Sequence, residues 1–297
     1  ETIDVSGITF FNNVMAGNDA GGLFGLMTKL KTVILPNTVT QIGKGAFRGC
    51  TALESVLVRN EDNSTGNLFS NANTQITLVN SLAFFGCSKL AITELPSSID
   101  NMGKQAFQGC TLLNIKNIPG YTNAKLQESL FRESGLTDFT IPASVASLDK
   151  TVFYTTDVNI KRTFSSRITA PTIPAAATDA RNVFGSDVTI LNTTLKVLKK
   201  YEDTYKAWNI TNLNIELLSQ EITASITGNG TVTVAGEGLI TNAEEVTNGN
   251  TVKAYEAETI TFTFTPDENA VLGTITLDGV AITSGQQLTI DSKSAKD

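Results

Sequence analysis

The chain has 297 residues, of which 41% are hydrophobic and 17% are charged, so its composition is that of a folded protein rather than of a disordered one. Its net charge of −7 and pI of about 4.8 argue against nucleic acid as a partner, because nucleic-acid binding needs a basic surface. The absence of histidine removes Ser-His-Asp and Cys-His catalytic systems and histidine metal sites.

The first 22 residues predict a short strand over Ile3–Phe10 followed by a polar loop. We expect this segment to cover the start of the repeats that follow, because the open end of a repeat stack exposes core. No apolar run anywhere in the 297 residues approaches the roughly 18 residues of a membrane span, so we predict no membrane insertion of this chain. Because the chain begins at Glu1 and not at Met, we expect a mature or trimmed form.

A repeated phrase, Ala-Phe-x-Gly-Cys, occurs at residues 46–50, 83–87 and 106–110, and Phe84 and Phe107 are 23 residues apart. A fixed period in the range of roughly 20–29 residues predicts a leucine-rich-repeat solenoid that is rich in β-structure, with one rung per repeat. The predicted anchor of each rung is an aromatic residue: Phe24, Phe47, Phe69, Phe84, Phe107, Phe131 and Phe153. The interval of 15 residues before Phe84 indicates either a shortened rung or an insertion, and the polar residues 60–73 predict a projecting loop.

Each rung also carries a leucine phrase, such as Leu30-x-x-Val33-x-Leu35-Pro36, which predicts a strand with alternate side chains turned inward. Lys116 occupies an inward slot of this phrase, and a lysine is costly to bury without a partner. We therefore expect a local bulge that turns Ile92 and Ile115 inward instead. The predicted core of the repeats consists of Phe47, Cys50, Phe84, Cys87, Phe107, Cys110 and Phe131.

The three cysteines allow two readings. Cys87 and Cys110 are 23 residues apart and should lie one above the other, so a disulfide between rungs is conceivable. The reading that we favour is a ladder of buried, unbridged thiols that pack as small apolar residues. No Cys-x-x-Cys pair is present, so we predict no metal site at the cysteines and no cofactor.

The outward-facing side chains of the leucine strands are the predicted binding lane, which we call the strand lane: Thr32, Ile34, Ser55, Leu57, Glu94, Lys116, Asn117, Asp138 and Thr140. Ile34 and Leu57 should be neighbours on adjacent rungs, and exposed apolar neighbours mark interaction sites. A cover formed by the N-terminal segment or by residues 60–73 explains the two residues equally well. The acidic clusters at residues 61–63 and 267–269 lack the spacing of a calcium loop, so we interpret them as solvated turns.

The order Leu35-Pro36, Ile42-Gly43, Ala46-Phe47, Gly49-Cys50 and Leu53 resembles the BspA-type leucine-rich-repeat family of bacterial surface proteins, over about residues 23–153. A cap of about residues 170–218, with a last strand at Val188–Ile190, a helix over Leu195–Tyr205 and Trp208, is similar to the ending of that family. The resemblance implies a protein at the cell surface or outside the cell. Its implied partners are a host extracellular-matrix protein, another bacterial surface protein or a glycan.

After residue 220 the sequence pattern changes: Thr, Val and Ile alternate with polar residues, and Gly residues separate the runs. This pattern predicts a small all-β domain over residues 221–297, which follows a repeat domain over residues 1–220. Strands are predicted at Ile222–Ile226, Thr231–Val234, Thr259–Phe264 and Thr274–Leu277, with a hairpin at Asp278-Gly279. This sandwich-like domain resembles the small β repeat modules of bacterial surface proteins. The chain stops at residue 297, where such modules begin a final strand, so we expect either that the module is cut short or that further residues follow.

Three hypotheses of function follow. The first is a non-catalytic surface or secreted protein whose solenoid face mediates adhesion. The second is a structural spacer or stalk in a larger surface protein. The third, and the weakest, is a carboxylate-dependent glycosidase, which would need two carboxylates about 5–10 Å apart with one raised pKa. We find no such pair within the repeats and predict no enzyme activity.

Overall fold

The structure, a computed structural model, describes residues 1–290 apart from residues 9, 11–13, 16, 18–21, 72, 224–228, 241–244, 248 and 278–279. It divides into two compact units, which are Glu1–Leu195 with Thr204–Ile215, and Lys196–Asp203 with Glu216–Asp297. The boundary at residue 220 that the sequence indicates stays a prediction.

In the first unit, short strands of successive rungs pair in parallel, and Thr65–Asn67 is an antiparallel addition to one of the sheets. One sheet has the order β1-β3-β5-β6 and contains Thr2–Asp4 (β1), Thr32–Pro36 (β3), Ser55–Arg59 (β5) and Thr65–Asn67 (β6). A second has the order β2-β4-β7-β8 and contains Val14–Met15 (β2), Gln41–Ile42 (β4), Leu78–Val79 (β7) and Asn101–Met102 (β8). Lys125–Leu126 (β9) pairs with Ser147–Leu148 (β11). The last sheet has the order β10-β12-β13-β14 and contains Asp138–Thr140 (β10), Arg162–Ser166 (β12), Thr193–Val197 (β13) and Asn214–Leu217 (β14).

A column of phenylalanine rings runs through the rungs. Consecutive ring centroids lie 5.2–6.1 Å apart, and the ring planes differ by 6–19°. All members of the column are buried: Phe24, Phe47, Phe84, Phe107, Phe131, Phe153 and Phe184. Because a rung has no core of its own, each ring is buried by packing against the neighbouring rungs.

The assignment of Phe69 as the anchor of a rung is wrong. Phe47 stacks directly on Phe84, with 5.2 Å between the ring centroids, whereas Phe69 meets Phe84 edge-on at 65°. Residues 60–73 are therefore an insertion within one long rung. They do not simply project as a loop, because β6 returns antiparallel along β5 and the ring of Phe69 is buried.

The leucine phrase forms strands only where its inward slots are apolar. β3 alternates between half-buried and buried side chains, and Val33 and Leu35 are fully buried. Thr93 and Lys116 occupy the corresponding slot in two rungs, and there the pairing is reduced to an isolated bridge between Ile92 and Leu113. Ile92 and Ile115 are buried, as expected from the cost of burying a lysine, and Lys116 is exposed.

The predicted N-terminal strand is shorter than expected. Only Thr2–Asp4 forms a strand, which pairs in parallel with β3. The Asp4 carboxylate accepts a hydrogen bond of 2.9 Å from the Ser6 backbone N–H, an Asx turn that ends the strand. Residue 9, within the predicted strand, lies outside the described residues.

The end of the repeats differs from the predicted cap in its secondary structure. Val188–Ile190 is not a strand, because Thr189–Asn192 forms a 3-10 helix. The predicted helix begins as β13, in which buried side chains alternate, and becomes helical only at Lys199–Tyr201 (3-10) and Glu202–Lys206 (α2). The helical spacing of Leu195, Leu198, Tyr201 and Tyr205 misled the prediction, because the buried Val197 alternates with Leu195 in β13 and does not fit that spacing. Ala177–Asn182 forms a further helix, α1.

Arg162 is a buried cation near this end of the column, and only 4% of it is exposed. Its guanidinium donates to the carbonyl oxygens of Phe153 and Phe184 and, at 2.9 Å, to the Thr193 hydroxyl. Burial lowers the pKa of Arg162 to about 10. Trp208 lies beside Phe184, with 5.8 Å between the ring centroids, and its Nε1 donates to the Pro171 carbonyl at 3.0 Å.

In the second unit, the described strands pair antiparallel. Ser219–Thr223 (β15) pairs with Thr251–Tyr255 (β17). Gly230–Ala235 (β16), Thr259–Pro266 (β18) and Gln287–Thr289 (β21) form a sheet of order β16-β18-β21. Ile275–Leu277 (β19) pairs with Val280–Ile282 (β20). The core of this unit consists of Val232, Val234, Val246, Val252, Ala254, Ile260, Phe262, Leu288 and Ile290.

Some predictions for the second unit fall on residues outside the described part. These are the second half of the strand predicted at Ile222–Ile226, the turn at Asp278-Gly279 and the chain end at residues 291–297. The strands on either side of the predicted turn are paired. A sandwich arrangement of these sheets stays a prediction.

Candidate functional site

The first half of the strand lane lies on β3 and β5. The parallel pairing places Thr32 opposite Ser55 and Ile34 opposite Leu57. The Thr32 and Ser55 hydroxyl oxygens are 3.1 Å apart, and all four side chains are half-buried. Beside them, the Lys31 ammonium lies 3.1 Å from the Glu54 carboxylate. Two apolar side chains thus stand in register within a polar border.

The two segments proposed as a cover for Ile34 and Leu57 each contribute an edge strand to the sheet that contains β3 and β5. β1 pairs with β3, and β6 pairs antiparallel with β5, which places Asn67 opposite Leu57. β6 is therefore the last strand of this sheet. The lane is consequently not one continuous sheet, because the insertion separates its first four residues from the rest.

The second half of the lane is charged and mostly exposed. The Lys116 ammonium lies 3.4 Å from the Asp138 carboxylate, and both side chains are more than half exposed. Thr140 shares a 3.0 Å hydrogen bond with Ser165, a lane residue of the next rung that the sequence analysis missed. Glu94 and Asn117 are exposed. The structure thus brings together Lys116 and Asp138, and it joins Thr140 to a new neighbour.

The three cysteines are buried and free. The thiols of Cys50, Cys87 and Cys110 donate to the carbonyl oxygens of Phe24, Phe47 and Phe84 at 3.0, 3.1 and 3.1 Å. Burial raises the pKa of the Cys110 thiol to about 12. Because the thiolate is the nucleophile and the metal ligand, these protonated thiols serve as core residues that tie one rung to the one before it.

The two acidic clusters are turns. The Asp62 carboxylate accepts hydrogen bonds from the backbone N–H and the hydroxyl of Ser64, at 3.0 and 2.5 Å, and these bonds lower its pKa. Asn269 closes the second turn with a φ of 74°. Within the described residues, no group of three or more Asp, Glu or Cys side chains is arranged to hold a metal ion. A polar cleft of about 550 Å³ adjoins the first turn and is lined by Asn37, Asn60, Glu61, Asp62, Asn73, Thr74 and Gln75.

The shifted pKa values of carboxyl groups in the described residues are all lowered. In the described residues these groups are Asp4 and Asp62, and both values are lowered by hydrogen bonds. A general acid needs a raised value. In the same part of the chain, none of the helices has the length and hydrophobicity needed to span a membrane.

The sequence analysis missed a row of planar side chains at the turns that follow the column. Arg48 lies over the ring of Phe85, and Arg132 lies over the ring of Tyr154, with 5.7 and 4.8 Å from the guanidinium carbon to the ring centroid. Each of these residues directly follows a column phenylalanine. The position after the column phenylalanine could have revealed this row in the sequence. The insertion at residues 60–73 hides the pattern, because it separates Arg48 from Phe85 by more than one repeat period.

Comparison with solved structures finds bacterial leucine-rich-repeat proteins. A leucine-rich repeat protein from Bacteroides ovatus is 15% identical, with 73% of this chain and 69% of that chain covered and a TM-score of 0.28. The pneumococcal vaccine antigen PcpA is 16% identical, with 73% and 41% covered and a TM-score of 0.34. A leucine rich cell surface protein from Faecalibacterium prausnitzii is 16% identical, with 65% and 61% covered and a TM-score of 0.33. Among curated proteins, nothing matches the chain.

A family model matches the repeats. The model of the BspA type leucine rich repeat region matches residues 21–161 in six copies. This range contains the phenylalanine column from Phe24 to Phe153 and all three buried cysteines. This match supports the resemblance that the Ala-Phe-x-Gly-Cys phrases indicate, because residues 21–161 are similar to a BspA type leucine rich repeat region.

Proposed function

We propose that the chain is part of a non-catalytic bacterial protein, exposed at the cell surface or secreted, whose repeat solenoid binds a protein or glycan partner in adhesion. The observation that carries this proposal is the register of β3 and β5, which sets Ile34 beside Leu57 between paired polar side chains. Half-buried apolar side chains on a rigid sheet, bordered by polar groups, have the composition of a small protein interface. The BspA-type repeats support the same reading.

A spacer or stalk is the second candidate, and one specific observation favours it. The polar side chains of the lane bind one another from rung to rung, as Thr32 does with Ser55 and Lys116 does with Asp138. Polar groups that are already paired gain less from a ligand, and the pairs join neighbouring rungs. Binding through the lane would therefore depend mainly on Ile34 and Leu57.

The test is binding of the soluble chain to an array of extracellular-matrix proteins, bacterial surface proteins and glycans. The variant Ile34→Asp/Leu57→Asp places two carboxylates on adjacent rungs of the lane. Gln41→Asp/Leu78→Asp is the matched control, because these half-buried residues are paired in the same way in the other sheet.

Loss of binding in the lane variant, with binding retained in the control, is the expected result. Equal binding by both variants would move the site away from the lane. The absence of any binding partner would overturn adhesion in favour of the spacer. Far-UV circular dichroism on each variant would show that the rungs remain folded.

A further inference from the structure

The turns of successive rungs are held in register by backbone hydrogen bonds. The N–H of Gly49 donates to the carbonyl of Phe85, that of Gly86 to Gln108, that of Gly109 to Arg132 and that of Glu133 to Tyr154, at 2.7–2.8 Å. Five residues therefore occupy one equivalent position on consecutive turns. We call them the turn row: Arg48, Phe85, Gln108, Arg132 and Tyr154.

The turn row is a line of flat, half-buried side chains. The guanidinium of Arg48 lies over the Phe85 ring and that of Arg132 over the Tyr154 ring, and Gln105 fixes the amide of Gln108 with a 2.9 Å hydrogen bond. Neighbouring strands of a ladder are spaced by about 4.8 Å, so the row continues in even steps across five turns. Such a line suits an extended ligand with repeating units.

A second row runs beside the first and is basic. Equivalent backbone bonds, from Gly45 to Ser81, Leu82 to Lys104, Gln105 to Glu128 and Ser129 to Lys150, align the flanking residues: Lys44, Ser81, Lys104, Glu128 and Lys150. The Glu128 carboxylate lies 3.2 Å from the Lys104 ammonium and 3.4 Å from that of Lys150. One carboxylate thus bridges two lysines, and the row keeps an excess of positive charge.

The charge of the turns is opposite to that of the chain. The 25 residues at positions 44–48, 81–85, 104–108, 128–132 and 150–154 include five of the 22 basic residues and one of the 29 acidic residues. The chain as a whole has a net charge of −7. Glu133 adjoins the row but is already hydrogen-bonded to the Thr155 and Thr156 hydroxyls and to the Thr156 backbone N–H. A local positive field on an acidic protein attracts anionic ligands to this face.

We propose that the turn row binds an anionic polysaccharide, carboxylated or sulfated, that runs across the rungs. Arginine pairs with carboxylate and sulfate through two parallel N–H donors. Phe85 and Tyr154 hold the Arg48 and Arg132 guanidinium planes in place, and their half-exposed rings add apolar contact area for sugar rings between the charged groups. A nucleic acid fits less well, because the acidic remainder of the chain repels a densely charged polymer. This surface is separate from the strand lane, so the proposal does not depend on binding there.

The test measures binding of the full chain to immobilised polygalacturonate, dextran sulfate, neutral dextran and single-stranded DNA. Arg48→Gln/Arg132→Gln removes two positive charges from the turn row. Lys31→Gln/Lys116→Gln is the matched control, since it changes the net charge equally at two exposed lysines, one beside the strand lane and one within it. Phe85→Ala/Tyr154→Ala removes the two rings and leaves the charge unchanged.

The expected result is binding to polygalacturonate, to dextran sulfate or to both, and no binding to neutral dextran. Binding to polygalacturonate would show recognition of carboxylate groups, and binding to dextran sulfate would show recognition of sulfate groups. Binding should weaken at least tenfold in the arginine variant, about tenfold in the ring variant and less than twofold in the lysine control.

Equal weakening in the lysine control, failure to bind either anionic polymer, or tighter binding to single-stranded DNA would overturn the proposal. The strand-lane variant Ile34→Asp/Leu57→Asp should keep its polysaccharide binding, so that failure of adhesion through the lane and failure of this proposal give different results. Circular dichroism on each variant separates lost binding from lost folding.

Discussion

Removal of one ring from the phenylalanine column should destabilise the repeats far more than removal of the ring next to it in sequence. Phe84 is fully buried and contacts three rings, those of Phe47, Phe107 and Phe69, at centroid distances of 5.2, 5.5 and 5.5 Å. A core Phe→Ala change costs about 3–5 kcal/mol, including the cavity that it leaves. Three ring partners place Phe84→Ala near the upper end, a large share of the roughly 5–15 kcal/mol that stabilises a domain.

Phe85→Ala is the control, because its ring is half-buried and its ring contact is with the Arg48 guanidinium. A cation–π contact near the surface contributes about 0.5–1 kcal/mol, so this variant should lose about 1 kcal/mol. Urea denaturation followed by the fluorescence of Trp208, the single tryptophan, and by far-UV circular dichroism would measure both changes. A loss for Phe84→Ala no larger than that for Phe85→Ala would refute the column as the core of the repeats.

Three further predictions concern buried polar groups. Cys50, Cys87 and Cys110 should resist alkylation in the native protein and all react in denaturant, and rapid native labelling would contradict their burial. The folded-state pKa of Cys110 is about 12 against 9.0 when unfolded, so its contribution to stability is complete below pH 9 and is lost as the pH rises towards 12. The difference in unfolding free energy between wild type and Cys110→Ala should shrink over this range, by at most about 4 kcal/mol, and a constant difference would contradict the shift. Arg162→Met should cost about 3 kcal/mol or more in urea denaturation, because three buried acceptors lose their donor, and a cost under about 1 kcal/mol would show that they find other partners.

The column could be predicted from the sequence because each rung repeats the same residue at the same place. Phe47, Phe84 and Phe107 each follow Ala and precede x-Gly-Cys, so one environment explains all three. Gly86, whose φ is 74°, supplies the left-handed backbone that the turn requires after the ring. Sequence and structure agree here because local turn chemistry and core packing demand the same residues.

Phe69 and the cap could not be placed in this way. Phe69 is 22 residues after Phe47, close to the period, and only the return of β6 along β5 shows that it belongs to an insertion. In the cap, Leu195, Leu198, Tyr201 and Tyr205 fit a helical spacing, although Leu195 belongs to β13. Short runs cannot be assigned by period alone, and pairing with the neighbouring rung decided in favour of the strand.

The turn row shows why the surface was harder to predict than the core. Its alignment depends on Phe47 being the neighbour of Phe84, since Arg48 meets Phe85 only when the insertion is taken out of the period. Once the column fixes the backbone of each turn, the next residue can vary without disturbing the packed ring before it. Substitutions at Arg48 and Arg132 should therefore weaken binding with little effect on the free energy of unfolding. Substitutions at Phe84, which is fully buried, should act through the free energy of unfolding. A repeat protein built in this way can acquire a new ligand by changing one row of side chains while its core stays the same.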